Sequence, residues 1–448
     1  MLPELYTPVI GEGQSVYAAE IGHGASSVLE SLLERLFNGE RLTSDNRLLR
    51  ATARDYTEAL QRGYGGKLTD IDWNTPDFET LEKLTQNVYQ FAAAKNYHEL
   101  RDLTDAIRDG DKIRTFEEFQ EAALPIIGKY NQNWLRTEYN QAVAAAQSGA
   151  RWNDFQRGKK EMPYLQYQCI MDGNTRPEHA RLHGVIKRMD DGFWDEYMPP
   201  NGWGCRCEAI QLPGSSYEET PNNKIVFPSV PEMFKINFGK QAIAFPQGHP
   251  YYRRLPKDFK RQAKDMARAE VRRVIANAEQ YKALKEDPNY TEVRFDNYTG
   301  GVSAVHIEHH FEQQVGRFGI PRGDYERNVV TALYREGHSI VLRSEMGDAG
   351  IKQPDGFIDG ILMDIKGVEG NCLYSMNRAN VQKVNTAILY FHKEAEFSID
   401  VVKDKWKELP SWIAQNERIT DKTVYLKRVM CVVNGDSGYK VYEIKNPE

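Results

Sequence analysis

The stretch Gln353–Lys366, QPDGFIDGILMDIK, decides how the last third of the chain is read. Asp359 and Gly360 form a two-residue DG loop between apolar runs, the strongest short-range hairpin signal. With that loop, Ile358 pairs with Ile361, Phe357 with Leu362 and Gly356 with Met363, and Asp355 falls opposite Asp364. Carboxylates held about 5 Å apart across two strands repel. The register therefore predicts either a cation between the aspartates or a proton on one of them. Lys366 lies two residues beyond Asp364 and projects from the same face. Paired carboxylates beside a lysine suit a divalent ion and phosphodiester hydrolysis. The competing expectation is an acidic hairpin that only faces solvent.

Upstream, the run PRGDYERNVVTALYREGHSIVLR predicts a helix from near Asp324, a cap at Gly337 and a strand over SIVLR. Glu326 falls in line with Val329, Val330 and Leu333 at helical spacing, at the border of the inward face. A carboxylate there needs a partner, which a metal on Asp355 and Asp364 would supply; bending outward to water is the alternative. Downstream come a short helix, a strand TAILYF and two strand-like runs around NGDSG. The expectation over residues 290–448 is a mixed α/β domain. HIEHH, with His306, His309 and His310, reads as a surface helix or as a second site for metal binding or acid–base work.

A chain of 448 residues exceeds the size of a single core, so two or three domains are expected. A formal net charge of -6 and a mean hydropathy of -0.64 give no basic excess that would announce nucleic acid. No apolar run approaches the roughly 18 residues that span a bilayer, and MLPELYTPVIGEGQ carries no secretion pattern, so synthesis in a cytoplasm is expected. Five cysteines are too few for a disulfide framework in a chain this long, and favour metal binding instead.

Apolar spacings of three and four make Ser26–Ala150 mainly helical, and Arg151–Pro213 an irregular α+β motif that closes on a short strand. Residues 214–289 read as a linker ending in a basic helix. Arg268, Arg272 and Arg273 there are candidates for nucleic-acid contact, against the alternative of a solvated helix face. His179 and His183 share a face if TRPEHARLHG is helical, and Cys205 and Cys207 share a side if GCRC is extended. Two imidazoles and two thiolates would satisfy a structural Zn2+; small packed cysteines and backbone-bonded histidines are the alternative.

The run YLQYQCIMDGNTRPEHARLHGVIKRMDDGFWDEYMPPNGWGCRCEAIQL resembles the signature of the Mu F-like phage minor head protein family. The likeness rests on Asp172, Thr175-Arg176, His179, Gly184, Pro199-Pro200, Gly202 and Cys205-Arg206-Cys207, preceded by Arg136-Thr137-Glu138, within residues 1–213. It implies a portal-associated virion protein of head assembly or DNA delivery, made in a bacterial cytoplasm, to which unrelated C-terminal domains are often attached. Residues 290–448 resemble the PD-(D/E)XK nuclease superfamily through Pro354-Asp355, Asp364-Ile365-Lys366 and Glu326. They are similar, more narrowly, to the tRNase toxins of contact-dependent inhibition, whose later lysine matches Lys383 after Gln382. Glu326, Asp355 and Asp364 would then hold Mg2+, Mn2+ or Zn2+, with Lys366 or Lys383 assisting. The substrate would be tRNA, other RNA or DNA, the effector would reach a host cytoplasm, and the producer would need a cognate immunity protein. A metal-independent barnase- or colicin-like fold, in which His306, His309 or His338 would act, is also found fused to this head family; the paired aspartates argue against it. A purely structural head protein with a non-catalytic C-terminal module is the rival.

Overall fold

The computed structural model describes residues 23–68, 71, 75–214, 217–345, 353–435 and 438–445. The chain forms two compact units, one centred on residues 36–271 and one on residues 24–35 and 272–448. Among the described residues, no helix is long and apolar enough to cross a membrane.

The first unit is mainly helical. Its long helices are α1 (Asn46–Tyr64), α2 (Pro76–Asp105), α3 (Phe116–Gly128) and α4 (Leu135–Gly158). Local sequence explains their starts. Asp45 accepts from the Arg47 and Leu48 amides, Thr75 caps a helix that begins with Pro76, and Thr115 and Glu118 form a reciprocal capping box. The alanine-rich run of α4 lets α1 approach closely: a Cβ added at Gly63 would lie 2.3 Å from the Val143 carbonyl oxygen. After α4 come β1 (Tyr164–Gln168), β2 (Ile186–Arg188) and β3 (Glu208–Leu212), an antiparallel sheet with β1 in the middle.

Residues 217–249, expected as part of a linker, pack into this unit. Phe234, Phe238, Phe245 and His249 are buried, and the Phe245 ring stacks on Phe91 with centroids 3.6 Å apart. Asn87 fixes the segment by accepting from the Ala244 and Phe245 amides at 2.9 and 2.7 Å. Prolines had hidden this core contribution, because a segment can bury aromatics without periodic structure. The basic helix is α5 (Lys257–Glu286), and the division between the units falls inside it, after Val271.

The second unit is a mixed sheet of eight strands: β4 (Tyr290–Phe295), β5 (Val302–His306), β6 (Ser339–Leu342), β7 (Gly356–Ile358), β8 (Ile361–Gly367), β9 (Thr386–Phe391), β10 (Arg428–Gly435) and β11 (Gly438–Lys445). They lie side by side in the order β11-β10-β9-β8-β7-β6-β5-β4. β9 is buried throughout, as a central strand covered on both faces should be. Ile388 and Tyr390 join Val329 and Leu333 of α6 (Arg322–Arg335) in one core. Ala387, Leu389 and Phe391 join Met376 of α7 (Cys372–Val381) and Trp406 and Leu409 of α8 (Ile399–Gln415) in the other.

The hairpin has the expected register: Ile361 opposite Ile358, Leu362 opposite Phe357, and Met363 opposite Gly356. Asp359 and Gly360 have φ of 52° and 76°, the left-handed pair that a type I′ turn requires. The helix and strand around Gly337 also form, with Gly337 at φ 92°. Two elements differ from expectation. The stretch around HIEHH is a strand end and a turn rather than a surface helix, and β4 and β5 precede it as a strand pair. Of the NGDSG turn, residues 436 and 437 lie outside the described residues.

Candidate functional site

β7 pairs with only the first three residues of β8, so on that side Asp364, Ile365 and Lys366 have no strand partner. The gap is closed by a side chain: Asp355, just before β7, accepts from the Ile365 amide at 2.6 Å through Oδ2. On its other side Gly356 lets β7 lie close against β6, since a Cβ there would lie 2.1 Å from the Val341 carbonyl oxygen. Asp364 and Lys366, two apart on β8, both reach the gap. Lys366 Nζ lies 2.5 Å from Asp364 Oδ2 and 3.7 Å from Asp355 Oδ2, and donates to the Ile365 carbonyl at 2.9 Å. Asp355 Oδ1 and Asp364 Oδ1 are buried without a hydrogen-bond partner.

α6 brings Glu326 to the same place, beside an indentation that Arg322, Tyr325, Lys366, Glu369 and Arg378 also line. His309 holds it, with Nε2 2.9 Å from Glu326 Oε2 and Nδ1 3.0 Å from the Arg343 carbonyl oxygen. A carbonyl only accepts, so the ring proton on Nδ1 is committed; the proton between Nε2 and Glu326 is shared by the pair. Arg322, at the rim, is tied to Glu369 at 2.8 Å, and Arg378 is exposed.

The charges explain the titration. Burial, then the Asp355 carboxylate, push Asp364 up to about 7, with Lys366 opposing. Burial also raises Glu326, against the His309 hydrogen bond. For Lys366 and His309, burial works against the cation, but the neighbouring carboxylates outweigh it and both are raised. Three acids share one ammonium and one imidazole. Such a cluster holds a proton or takes up a cation. The donor set fits a hard divalent ion, being oxygen-rich with buried acceptor atoms unused. Its three acids do not close to within 4.8 Å of one another, and Lys366 stands among them.

The other candidates fall elsewhere. Lys383 follows α7 in a left-handed conformation at φ 56°, two-thirds exposed, with Nζ 3.7 Å from Asp421 and over the Tyr425 ring. Gln382 ends α7, its amide bonded to the Ala379 carbonyl. Neither residue joins the carboxylates; of the two lysines, Lys366 does. His338 binds Asp359 Oδ2 at 2.8 Å, and Asp359 also accepts from the Ser339 amide; these contacts outweigh burial and hold its carboxyl far below the usual range. His306 ends β5 and His310 is exposed. Arg273 was expected to face nucleic acid; instead its guanidinium donates to the Thr299, Gly300 and Gly337 carbonyls and fastens the turn before β5. Arg268 lies 3.8 Å from Asp265 on an exposed face, and Arg272 is exposed. His309 was weighed as part of a surface helix, as a second site for metal binding or acid–base work, and as an acting residue of a barnase- or colicin-like fold, but not as the partner of Glu326; its signal was the HIEHH cluster itself.

A second cluster lies in the 164–212 motif. The ligand atoms of His179, Cys205 and Cys207 all lie within 4.8 Å of one another. His183 is not among them. The helix that would have aligned it with His179 ends at Ala180, and exposed His183 turns back so that Nδ1 accepts from the Cys169 amide at 3.0 Å. The Cys169 sulfur takes its place beside the cluster, 3.1 Å from Cys207 Sγ. All five cysteines are free. A hydrogen bond from its own S–H to Cys207, then burial, push the Cys205 thiol up to about 12. Asp172 and Arg206 form a two-pronged pair at 2.8 and 2.5 Å, and Arg176 donates to the Trp203 carbonyl at 2.6 Å. A Cβ at Gly202 would lie 3.3 Å from the Arg176 guanidinium, a tight contact that the arginine would have to relieve by a small shift. These contacts involve Asp172, Arg176, His179, Gly202, Cys205, Arg206 and Cys207, half of the residues that carried the family likeness.

The likeness to known proteins falls on the end of the helical unit and the cysteine- and histidine-bearing motif that follows it. Residues 99–210 match the model of the family described as Phage Mu protein F like protein. The chain is 42% identical over 85 residues to the putative capsid assembly protein F of Escherichia phage Mu, which covers 19% of this chain and 19% of that protein. It is 41% identical over 78 residues to the Mu-like prophage FluMu F protein of Haemophilus influenzae, 17% of this chain and 19% of that protein. An uncharacterized protein of Methanocaldococcus jannaschii is 25% identical over 181 residues, 39% of this chain and 28% of that protein. The chain thus carries a Mu F-like segment and spans about a fifth of the length of the two phage relatives. No solved structure matches it.

Proposed function

We propose that this is a phage or prophage minor head protein, associated with the portal, whose C-terminal sheet unit is a metal-dependent nuclease effector acting on tRNA or other RNA. The head role is supported by the Mu F-like segment and by a relative named as a putative capsid assembly protein. The nuclease role rests on one observation: buried Asp355 and Asp364, each with an unused oxygen, meet Lys366 where the sheet lacks a strand partner. The element order, with Glu326 on the preceding helix, resembles that of the PD-(D/E)XK superfamily, which supports this reading. Glu326, Asp355 and Asp364 would hold the ion, which supplies charge stabilisation and an activated water when bound. Lys366 places a positive charge where a phosphate oxygen gains negative charge. His309 fixes the Glu326 carboxylate, and Arg378 at the rim offers an exposed cation to the phosphate backbone.

The test is direct. Purified full-length protein, incubated with tRNA, other RNA, or single- or double-stranded DNA and Mg2+, Mn2+ or Zn2+, should cut RNA in preference to DNA, and Asp364→Ala should not. Absence of cleavage of every substrate with every ion would leave a structural head protein with a non-catalytic C-terminal module.

A further inference from the structure

We propose that Cys169, His179, Cys205 and Cys207 bind one zinc ion in a Cys3His site that closes the 164–212 motif. His179 Nδ1 stands 3.5 Å from Cys205 Sγ and 3.7 Å from Cys207 Sγ. Zinc bonds of about 2.3 Å to sulfur and about 2.0 Å to nitrogen, at tetrahedral angles, give an N···S separation of about 3.6 Å. The two distances bracket that value, and the two sulfurs lie within 4.8 Å of each other, so the three donors are spaced as ligands of one ion can be.

Cys169 supplies the fourth corner. It is buried just after β1, with its sulfur 3.1 Å from Cys207 Sγ and its thiol donating to the His179 carbonyl at 3.3 Å. The same bond lengths set the S···S separation of a tetrahedral site at about 3.8 Å. Ligation therefore requires Cys169 to give up the proton it shares with that carbonyl and its sulfur to move away from Cys207 and in toward the other donors, since it lies outside the set of donor atoms that fall within 4.8 Å of one another. His183 is excluded from this corner because Nδ1 already accepts the Cys169 amide.

Binding is a proton–metal exchange without redox change. Three Zn–S bonds and one Zn–N bond form, each thiol releases its proton to water, and His179 enters neutral. Three thiolates on one divalent ion leave a net charge of −1. Between Cys169 and Cys207 the chain holds one three-residue strand and two short helices. An ion that joins both ends of this segment to its middle supplies the cross-link that so little regular structure lacks.

Metal analysis of full-length protein purified without chelator should find about one zinc per chain. Cys169→Ser, Cys205→Ser, Cys207→Ser and His179→Ala should each lower that content to background after dialysis, whereas His183→Ala should keep it. Should the variants fail to fold, cobalt substitution of the wild-type protein reads the ligand set: a tetrahedral visible spectrum with thiolate charge-transfer intensity of three sulfurs. Two sulfurs, or zinc retained in Cys169→Ser but lost in His183→Ala, would overturn the assignment of Cys169. A metal-free wild-type protein, with all thiols free or with Cys169 and Cys207 joined as a disulfide, would overturn the site.

Discussion

Each unit buries a lysine against carboxylates. In the helical unit, Lys95 Nζ lies 2.6 Å from Glu138 Oε2 and donates to the Tyr56 hydroxyl at 2.8 Å, which itself donates to Glu138 at 2.5 Å. One cation meets one anion, and both side chains are 0% exposed. The nearby Glu99, pushed up to about 7 by burial against the charge of Lys95, takes a hydrogen bond from Asn131 at 2.6 Å on one oxygen and leaves the other unused, but it is wholly buried and borders no opening. In the sheet unit, Lys366 serves two buried aspartates whose outer oxygens are unused, Glu326 stands beside them, and an indentation with two arginines at its edge reaches Glu326 and Lys366. Closed, charge-matched pairs specify a core. Acid-rich clusters that border an opening carry stored electrostatic cost, and that cost is what a cation or a substrate phosphate relieves.

The comparison breaks most sharply at Glu138. Glu138→Ala strands the Lys95 ammonium in a dry core, and breaking a buried pair costs about 3–5 kcal/mol. Urea unfolding of the full chain should show the helical unit's transition lost or moved to much lower denaturant; an unmoved transition would mean that water reaches Lys95. Asp364→Asn should act in the opposite sense on stability. Removing one of three crowded acids leaves Lys366 with Asp355, so the metal-free protein should gain roughly 1 kcal/mol, a few degrees of melting temperature. Cleavage should nonetheless fall by about 10²-fold or more, as when a group aimed at developing charge is deleted. A destabilised Asp364→Asn would instead mark the cluster as a structural ion pair.

The parts of this site that depend on local rules were legible in the sequence. A DG turn fixes its own register, parity along β8 places Lys366 beside Asp364, and helical period places Glu326 inward. His309 was not legible. Its position depends on the Arg343 carbonyl and on Glu326, 34 and 17 residues away, and on an irregular turn that no period describes. Cys169 was hidden for a similar reason. The four-residue spacing of His179 and His183 implied a helix, but the chain leaves the helix at Ala180 and passes through Gly184 at φ 81°. The strand pair β4 and β5 was obscured because β4 is an edge strand with a mostly exposed, polar face. α8 was passed over, and Pro410 sits inside it.

A smaller effect separates the clusters by pH. Asp364 is an acid whose folded value, about 7, exceeds its ordinary 3.8. Its contribution to folding is present in full below about 4 and lost as pH rises through about 7. His309, raised above 6.5, contributes below that value and loses its contribution as pH rises through its folded value. Both losses fall on the alkaline side, where ionised carboxylates bind metal. Added Mg2+ should therefore raise the melting temperature of the sheet unit more at pH 8 than at pH 5, and His309→Gln should flatten the profile above pH 6.5. Equal Mg2+ shifts at both pH values would detach the ion from these carboxylates.

The least effect is expected at Lys383, and its value lies in its smallness. The resemblance to tRNase toxins gave this lysine the catalytic part, whereas the structure turns it outward to Asp421 at 3.7 Å. An exposed pair of that kind contributes about 0–1 kcal/mol, and the φ of 56° is tolerated by few side chains besides asparagine and glycine. Lys383→Asn should thus keep the fold, change stability by about 0.5 kcal/mol or less, and leave cleavage within about twofold of wild type, where Lys366→Gln should lose most of it. If Lys383→Asn lost activity as fully as Lys366→Gln, the turn after α7 would have to move toward the carboxylates when substrate binds, and the site would be one that RNA completes.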